Sequence, residues 1–185
     1  MSFRILDLTS NDPRLIEQIA VMLLDGFREM APDAWENLEE ARDEVRQSFD
    51  AERISRVAVD ENGDAVGWIG GIPQYDGNVW ELHPLVVRPD TQGNGIGRAL
   101  VEDLEAQVKA RGGLTITLGS DDEHGFTSLF GIDVYPNPLE YLLAIRNLGN
   151  HPFEFYQKCG FALTGIVPDA NGFGKPDIIM SKRVR

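Results

Sequence analysis

The order of elements along this chain predicts a mixed α/β fold: a central, mostly antiparallel sheet with helices on both faces. Three observations carry that reading. Short alternating strands separated by turn residues run as far as residue 87. A glycine turn then feeds a periodic helix and a β-branched strand, and two further strands close the chain.

Taken in order, residues 4–8 (RILDL) alternate as a strand does. Asn11 or Asp12 is placed to cap a helix entered through Pro13, because proline suits the first turn and the cap side chain accepts an orphan N–H. That helix aligns Leu15, Ile16, Ile19, Leu23 and Phe27. A second, strongly acidic helix is expected to start near Asp33. Residues 54–59 and 65–72 read as a hairpin closed by Asn62-Gly63, and residues 79–87 as the next strand. The helix over 96–110 carries Ile96, Leu100, Leu104 and Val108 on one stripe and stops at Gly112-Gly113. A short strand over 114–118 (LTITL) follows. Residues 119–149 look irregular, apart from a helix around 139–146. A helix over 153–159 and strands over 161–167 and 176–182 complete the pattern.

Composition sets the limits. With 185 residues, 42% of them hydrophobic, one compact domain over residues 1–185 is expected. Seventeen basic against 30 acidic residues, a formal charge of -13, argues against a nucleic-acid partner, whose phosphates need cations. The same acidity suits a cationic substrate, although much of it serves solubility. Cys159 is the single cysteine, so neither an internal disulfide nor a cysteine metal centre is expected. Neither a signal peptide nor a membrane span is evident, so a cytoplasmic protein is expected.

The stretch HPLVVRPDTQGNGIGRALV places glycines at 93, 95 and 97 between a strand and a helix, as loops that cradle phosphate do. A dinucleotide motif would put its third glycine at Arg98, although Asp121 stands where its acidic residue belongs. A triphosphate loop would end in Gly-Lys-Ser/Thr, which is absent. What remains is Gln92-x-x-Gly95-x-Gly97 opening a helix, with backbone N–H groups of Gly93, Asn94, Gly95, Ile96, Gly97 and Arg98 facing an anion; a loop of tight turns without a ligand is the alternative.

The strand VWELHPLVV, this loop and the segment FYQKCGF together resemble the GNAT superfamily of acyl-CoA-dependent N-acetyltransferases. WELHPLVV, GGLTITLGSDD, HPFEFYQKCGF and DANGFGKPDIIMSK, in that order, resemble the aminoglycoside 6'-N-acetyltransferases over about residues 54–182. The resemblance implies the GNAT fold, its sheet splayed at a bulge, with acetyl-CoA as co-substrate, no metal, a small cationic amine as acceptor and a homodimer. Polyamines or protein amines are the alternative acceptors, and a non-catalytic binder of cationic molecules ranks behind them.

Within that likeness, residues 92–98 hold the coenzyme A pyrophosphate. Leu85, Val86 and Val87 offer backbone groups to the pantetheine arm, and Leu85 N–H follows the interruption at Pro84 as a carbonyl-polarising donor. Glu81 is the expected base, or the holder of the cationic amine, and shares a strand face with Val79 and His83. His83 is a secondary relay, and Tyr156 is the acid for the leaving thiolate. Asp121, Asp122, Glu140 and Trp35 are the expected acceptor contacts. Asp133 and Asp169 are read as solubilising, Cys159 as packing, and His124 and His151 carry little weight. The superfamily's asparagine and alanine before the tyrosine are replaced here by Gly149 and Pro152.

Overall fold

The computed structural model describes residues 2–29, 31 and 34–184; the expected helix start at Asp33, and a place for Asp33 in an acceptor wall, lie outside the described residues. The backbone gathers into two compact units, one running through Ile116 and including Val184, the other spanning Thr117–Arg183. Among the described residues, no helix is long and apolar enough to cross a membrane.

In the first unit, β1 (Phe3–Asp7), β2 (Ile54–Asp60), β3 (Ala65–Gln74) and β4 (Val79–Val87) pair in that order, each antiparallel to the next. α1 (Pro13–Phe27) begins where expected: Asp12 accepts the Leu15 N–H at 3.1 Å, and Pro13 occupies the first turn. α2 (Leu38–Gln47) begins later than the sequence suggests. Asn37 is its cap, accepting the N–H groups of Glu39 and Glu40, while Glu40 reaches back to the Glu36 N–H at 2.8 Å. Cap and first turn thus brace each other, and the helix does not extend toward Trp35.

α1 and α2 close one face of the sheet over Val57, Val59, Trp68 and Val86, with Leu15, Ile19, Leu23, Ala41 and Val45 buried between them. α3 (Ile96–Ala110) closes the other face. Its stripe Ile96, Leu100, Leu104 and Val108 is fully buried, each side chain contributing about 1.5–3 kcal/mol by leaving water.

The second unit holds most of β5 (Thr115–Asp121), then α4 (Pro138–Leu143), α5 (Phe153–Lys158), β6 (Ala162–Val167) and β7 (Asp177–Arg183). β7 lies between β5 and β6 and pairs antiparallel with β6. Its long connections are built around side chains rather than regular ladders.

Candidate active site

β4 carries the first part of the site. Its ladder with β3 sets Leu82 opposite Gly71 and Leu85 opposite Ile69, so Gly70 alone faces His83 and Pro84. This is a bulge at the proline, where the sequence predicts that regular pairing stops. Gly70 must be glycine, because a Cβ there would run into the His83 carbonyl oxygen. Trp80 and Leu82 are buried on the α3 side, and Glu81 and His83 project to the opposite face, His83 exposed and Glu81 half-buried. One Glu81 oxygen, Oε2, accepts the Gln74 side-chain amide at 3.2 Å. The His83 Nε2 stands 3.8 Å from Glu44 Oε1, on α2. Gln74 and Glu44 are partners that sequence reasoning missed. Gln74 sits at a strand end beside a turn, and Glu44 is one acid among many on its helix.

The glycine loop has the geometry an anion needs. Gly93 and Gly95 take φ of 79° and 83°, a left-handed backbone that side chains resist. Gly95 caps α3 in that conformation with no side chain bonded to the helix's first amides. These amides lie at the positive end of a 15-residue helix and point outward, a donor set that fits a pyrophosphate. The loop is braced from within. Gln92 donates its side-chain amide to the Val87 carbonyl at 3.2 Å, Asn94 donates to the Thr91 carbonyl at 3.0 Å, and Thr91 Oγ1 donates to the Arg88 carbonyl at 2.9 Å. The side chain of Gln92 therefore shapes the cradle, and the backbone lines it.

Trp35, expected as an acceptor contact, lies outside α2, half-buried, with its ring edge-on to Phe27 at 5.0 Å and packed against the α1–α2 core.

In the second unit, the two neighbouring acids after LTITL have different fates. β5 runs on through Gly119, Ser120 and Asp121, which the sequence reads as loop. Asp121 is exposed at its end and takes the Asn171 side-chain amide. Asp122 is fully buried: Oδ1 accepts the Gly125 and Phe126 N–H groups, each at 2.9 Å, and Oδ2 accepts that of Thr127 at 2.7 Å. Here the structure corrects the expected acceptor contact, because this carboxylate already holds the loop over residues 122–127 together. Asp133 and Asp169 likewise accept backbone N–H groups, from Tyr135 and Gly174. Glu140 is exposed in the first turn of α4.

His151, at 2% exposure, accepts the Phe153 N–H at Nδ1 (3.2 Å), so its proton sits on Nε2 and is donated to the Asp121 carbonyl at 3.0 Å. Burial holds its pKa below the ordinary 6.5, and a second proton would meet the Phe153 N–H head-on. A lowered histidine pKa means that the unfolded chain binds the proton more readily. Stability is therefore complete above pH 6.5 and falls as the pH drops through it. Urea denaturation on either side of that pH is expected to show this loss, and His151→Asn to reduce it.

Tyr156, on α5, packs edge-on between Phe155 (5.1 Å) and Phe161 (5.6 Å). Burial, with Cys159 close by, pushes its phenol well above the ordinary value of 10.0, so it stays protonated near neutral pH and keeps its proton to donate in a hydrogen bond. Cys159 itself is buried. Asn147 is occupied by the backbone of His151, accepting its N–H at 2.8 Å and donating to its carbonyl at 2.9 Å. Among the described residues no group of three or more His, Cys, Asp or Glu side chains is placed to hold a metal ion.

Comparison with known proteins matches this architecture. The model of the acetyltransferase (GNAT) family matches residues 18–129. A structure of an aminoglycoside 6'-N-acetyltransferase complexed with coenzyme A is 41% identical, covering 98% of this chain and 97% of its own, with a TM-score of 0.90. The aminoglycoside 6'-N-acetyltransferase from Enterococcus faecium is also 41% identical over the same shares, with a TM-score of 0.86. Aminoglycoside 6'-acetyltransferase type Ii is 36% identical over the same shares, with a TM-score of 0.74. With the bulged strand and the glycine cradle in place, and with this likeness across nearly its whole length, the chain belongs to the GNAT family of acetyltransferases.

Proposed function

We propose that this acetyl-CoA-dependent N-acetyltransferase acts on the 6'-amine of aminoglycosides. The observation that carries the reading is Glu81, a half-buried carboxylate with one oxygen held by Gln74, on the strand that also carries the bulge. Identity of 36–41% over 98% of the chain to enzymes of that activity supports it. Acetyl-CoA supplies the acetyl group as an activated thioester. The amides of residues 93–98 would hold its pyrophosphate, and backbone groups of Val86 and Val87 the pantetheine arm.

An alkylammonium must lose a proton before it can attack a carbonyl, since its lone pair is otherwise occupied. Glu81 Oε1 receives that proton, or orders the water that does. The Leu85 N–H, just past the bulge, is assigned to the carbonyl oxygen, and the Tyr156 hydroxyl to the departing sulfur. With its pKa raised, Tyr156 stabilises the thiolate by a hydrogen bond, because full transfer of its proton is uphill. Asp121, exposed at the end of β5, and Glu140 add negative charge for a polycation. We also infer a cytoplasmic setting and, on family resemblance, a homodimer; light scattering after gel filtration checks the latter.

The test is thiol release from acetyl-CoA with kanamycin, tobramycin, spermidine and a lysine peptide. Turnover is expected to be fastest with the two aminoglycosides. Turnover confined to spermidine or the peptide would overturn the substrate assignment.

A further inference from the structure

α2 is rich in carboxylates, and all but one of its acidic side chains are engaged by arginine or by the helix cap. Glu39 pairs with Arg42 and Arg46 at 3.0 and 2.8 Å, Asp43 with Arg46 at 2.7 Å, and Glu40 accepts the Glu36 N–H and the side-chain amide of the cap residue Asn37. Arg42 is further engaged by Glu17 at 2.7 Å. Glu44 differs. Its side chain is only 18% exposed, against 60% for Glu39 and 56% for Asp43, and its partner among the described residues is the His83 imidazole at 3.8 Å. That separation is too long for a direct hydrogen bond, so the carboxylate keeps its lone pairs for another donor. Glu44 also lies in the last turn of α2, where the helix dipole disfavours an anion. Helix stability does not account for it there. It is placed beside His83, which shares its strand face with Glu81.

We propose that Glu44 is a specificity-determining residue that binds a second ammonium group of the acceptor, one that is not acetylated. The inference rests on the reading of the acceptor as a polycationic amine. An enclosed carboxylate holds a cation more strongly than an exposed one, because less water screens the pair. Glu44 therefore selects acceptors that carry two or more positive groups over simple monoamines.

The experiment compares wild type, Glu44→Gln, Glu44→Asp and the control Glu39→Gln. Circular dichroism checks that each is folded, and calorimetry measures tobramycin binding in the presence of coenzyme A. Glu44→Gln is expected to weaken tobramycin binding about ten- to a hundredfold, with Glu44→Asp losing less and Glu39→Gln close to wild type. Turnover of the monoamine cyclohexylmethylamine should change by less than about twofold, since it offers no second cation to lose. Tobramycin binding within about twofold of wild type in Glu44→Gln, or an equal loss for the monoamine, overturns the proposal. Wild type that binds no aminoglycoside yet acetylates spermidine removes the aminoglycoside reading instead. Spermidine then takes the place of tobramycin, and the same two outcomes decide the role of Glu44.

Discussion

Glu81→Gln is expected to lower kcat/KM for an aminoglycoside by about a hundredfold near neutral pH, roughly 2.7 kcal/mol of transition-state stabilisation. The substitution keeps the shape of the side chain and leaves an amide for Gln74 to meet, so the sheet should hold. It removes the only feature of Glu81 that matters to an ammonium: its charge and capacity for a proton. The pH dependence separates these two functions. Below its pKa near 10, an alkylamine gains about tenfold in neutral fraction for each unit that the pH rises. Without a base, the variant depends on that neutral fraction, so its rate climbs with pH and the gap to wild type narrows. Steady-state kinetics at several pH values reads this directly. A constant ratio across pH, or a change in KM alone, would leave Glu81 as a holder of the cation and pass the proton to water.

Asp122→Ala is expected to be strongly destabilising. Three backbone N–H groups converge on this fully buried carboxylate at 2.7–2.9 Å. Hydrogen bonds to a charged group contribute about 1.5–3 kcal/mol each, and they are not additive when one loop holds them all. A loss of about 3–5 kcal/mol follows, or roughly 6–20 °C in Tm for a chain of this size. Asp122→Asn should fall between, because one acceptor oxygen becomes an NH2 group facing an N–H donor. Thermal melts followed by circular dichroism measure both. A variant that keeps its stability yet loses acceptor affinity would return Asp122 to the acceptor-binding role that its position after LTITL suggests.

The contrast between Asp121 and Asp122 shows where the sequence stops being informative. Two adjacent acids look alike in one dimension, but neighbours on a strand point to opposite sides, and here one meets solvent while the other meets three amides. Glu44 is hidden for a similar reason. In ENLEEARDEVR every acid suits an exposed helix face, and only packing shows which one is enclosed. α3 was legible because its stripe, its glycine entry and its Gly112-Gly113 stop all agree, and the structure returns Ile96–Ala110. The bulge on β4 was legible from Pro84, which lacks the N–H a ladder requires.

Other boundaries moved under tertiary constraint. The helix expected around 139–146 ends at Leu143 because the segment after it is drawn into pairing. Thr127 bridges Asn147, and the Arg146 carbonyl takes the Ser128 N–H at 3.0 Å. β5 extends through Gly119-Ser120-Asp121, residues of low strand propensity, because β7 lies beside it. There the Asp177 carboxylate covers Gly119, and the Asp122 N–H donates to the Pro176 carbonyl at 2.9 Å.

Acetyl transfer to the 6'-amine is tested most directly by a matched pair of acceptors. Neomycin carries an amine at the 6' position, and paromomycin differs from it there by a hydroxyl. Thiol release from acetyl-CoA should proceed with neomycin, yielding a product acetylated at that nitrogen by NMR, and should be absent with paromomycin. Equal turnover of the two would contradict it.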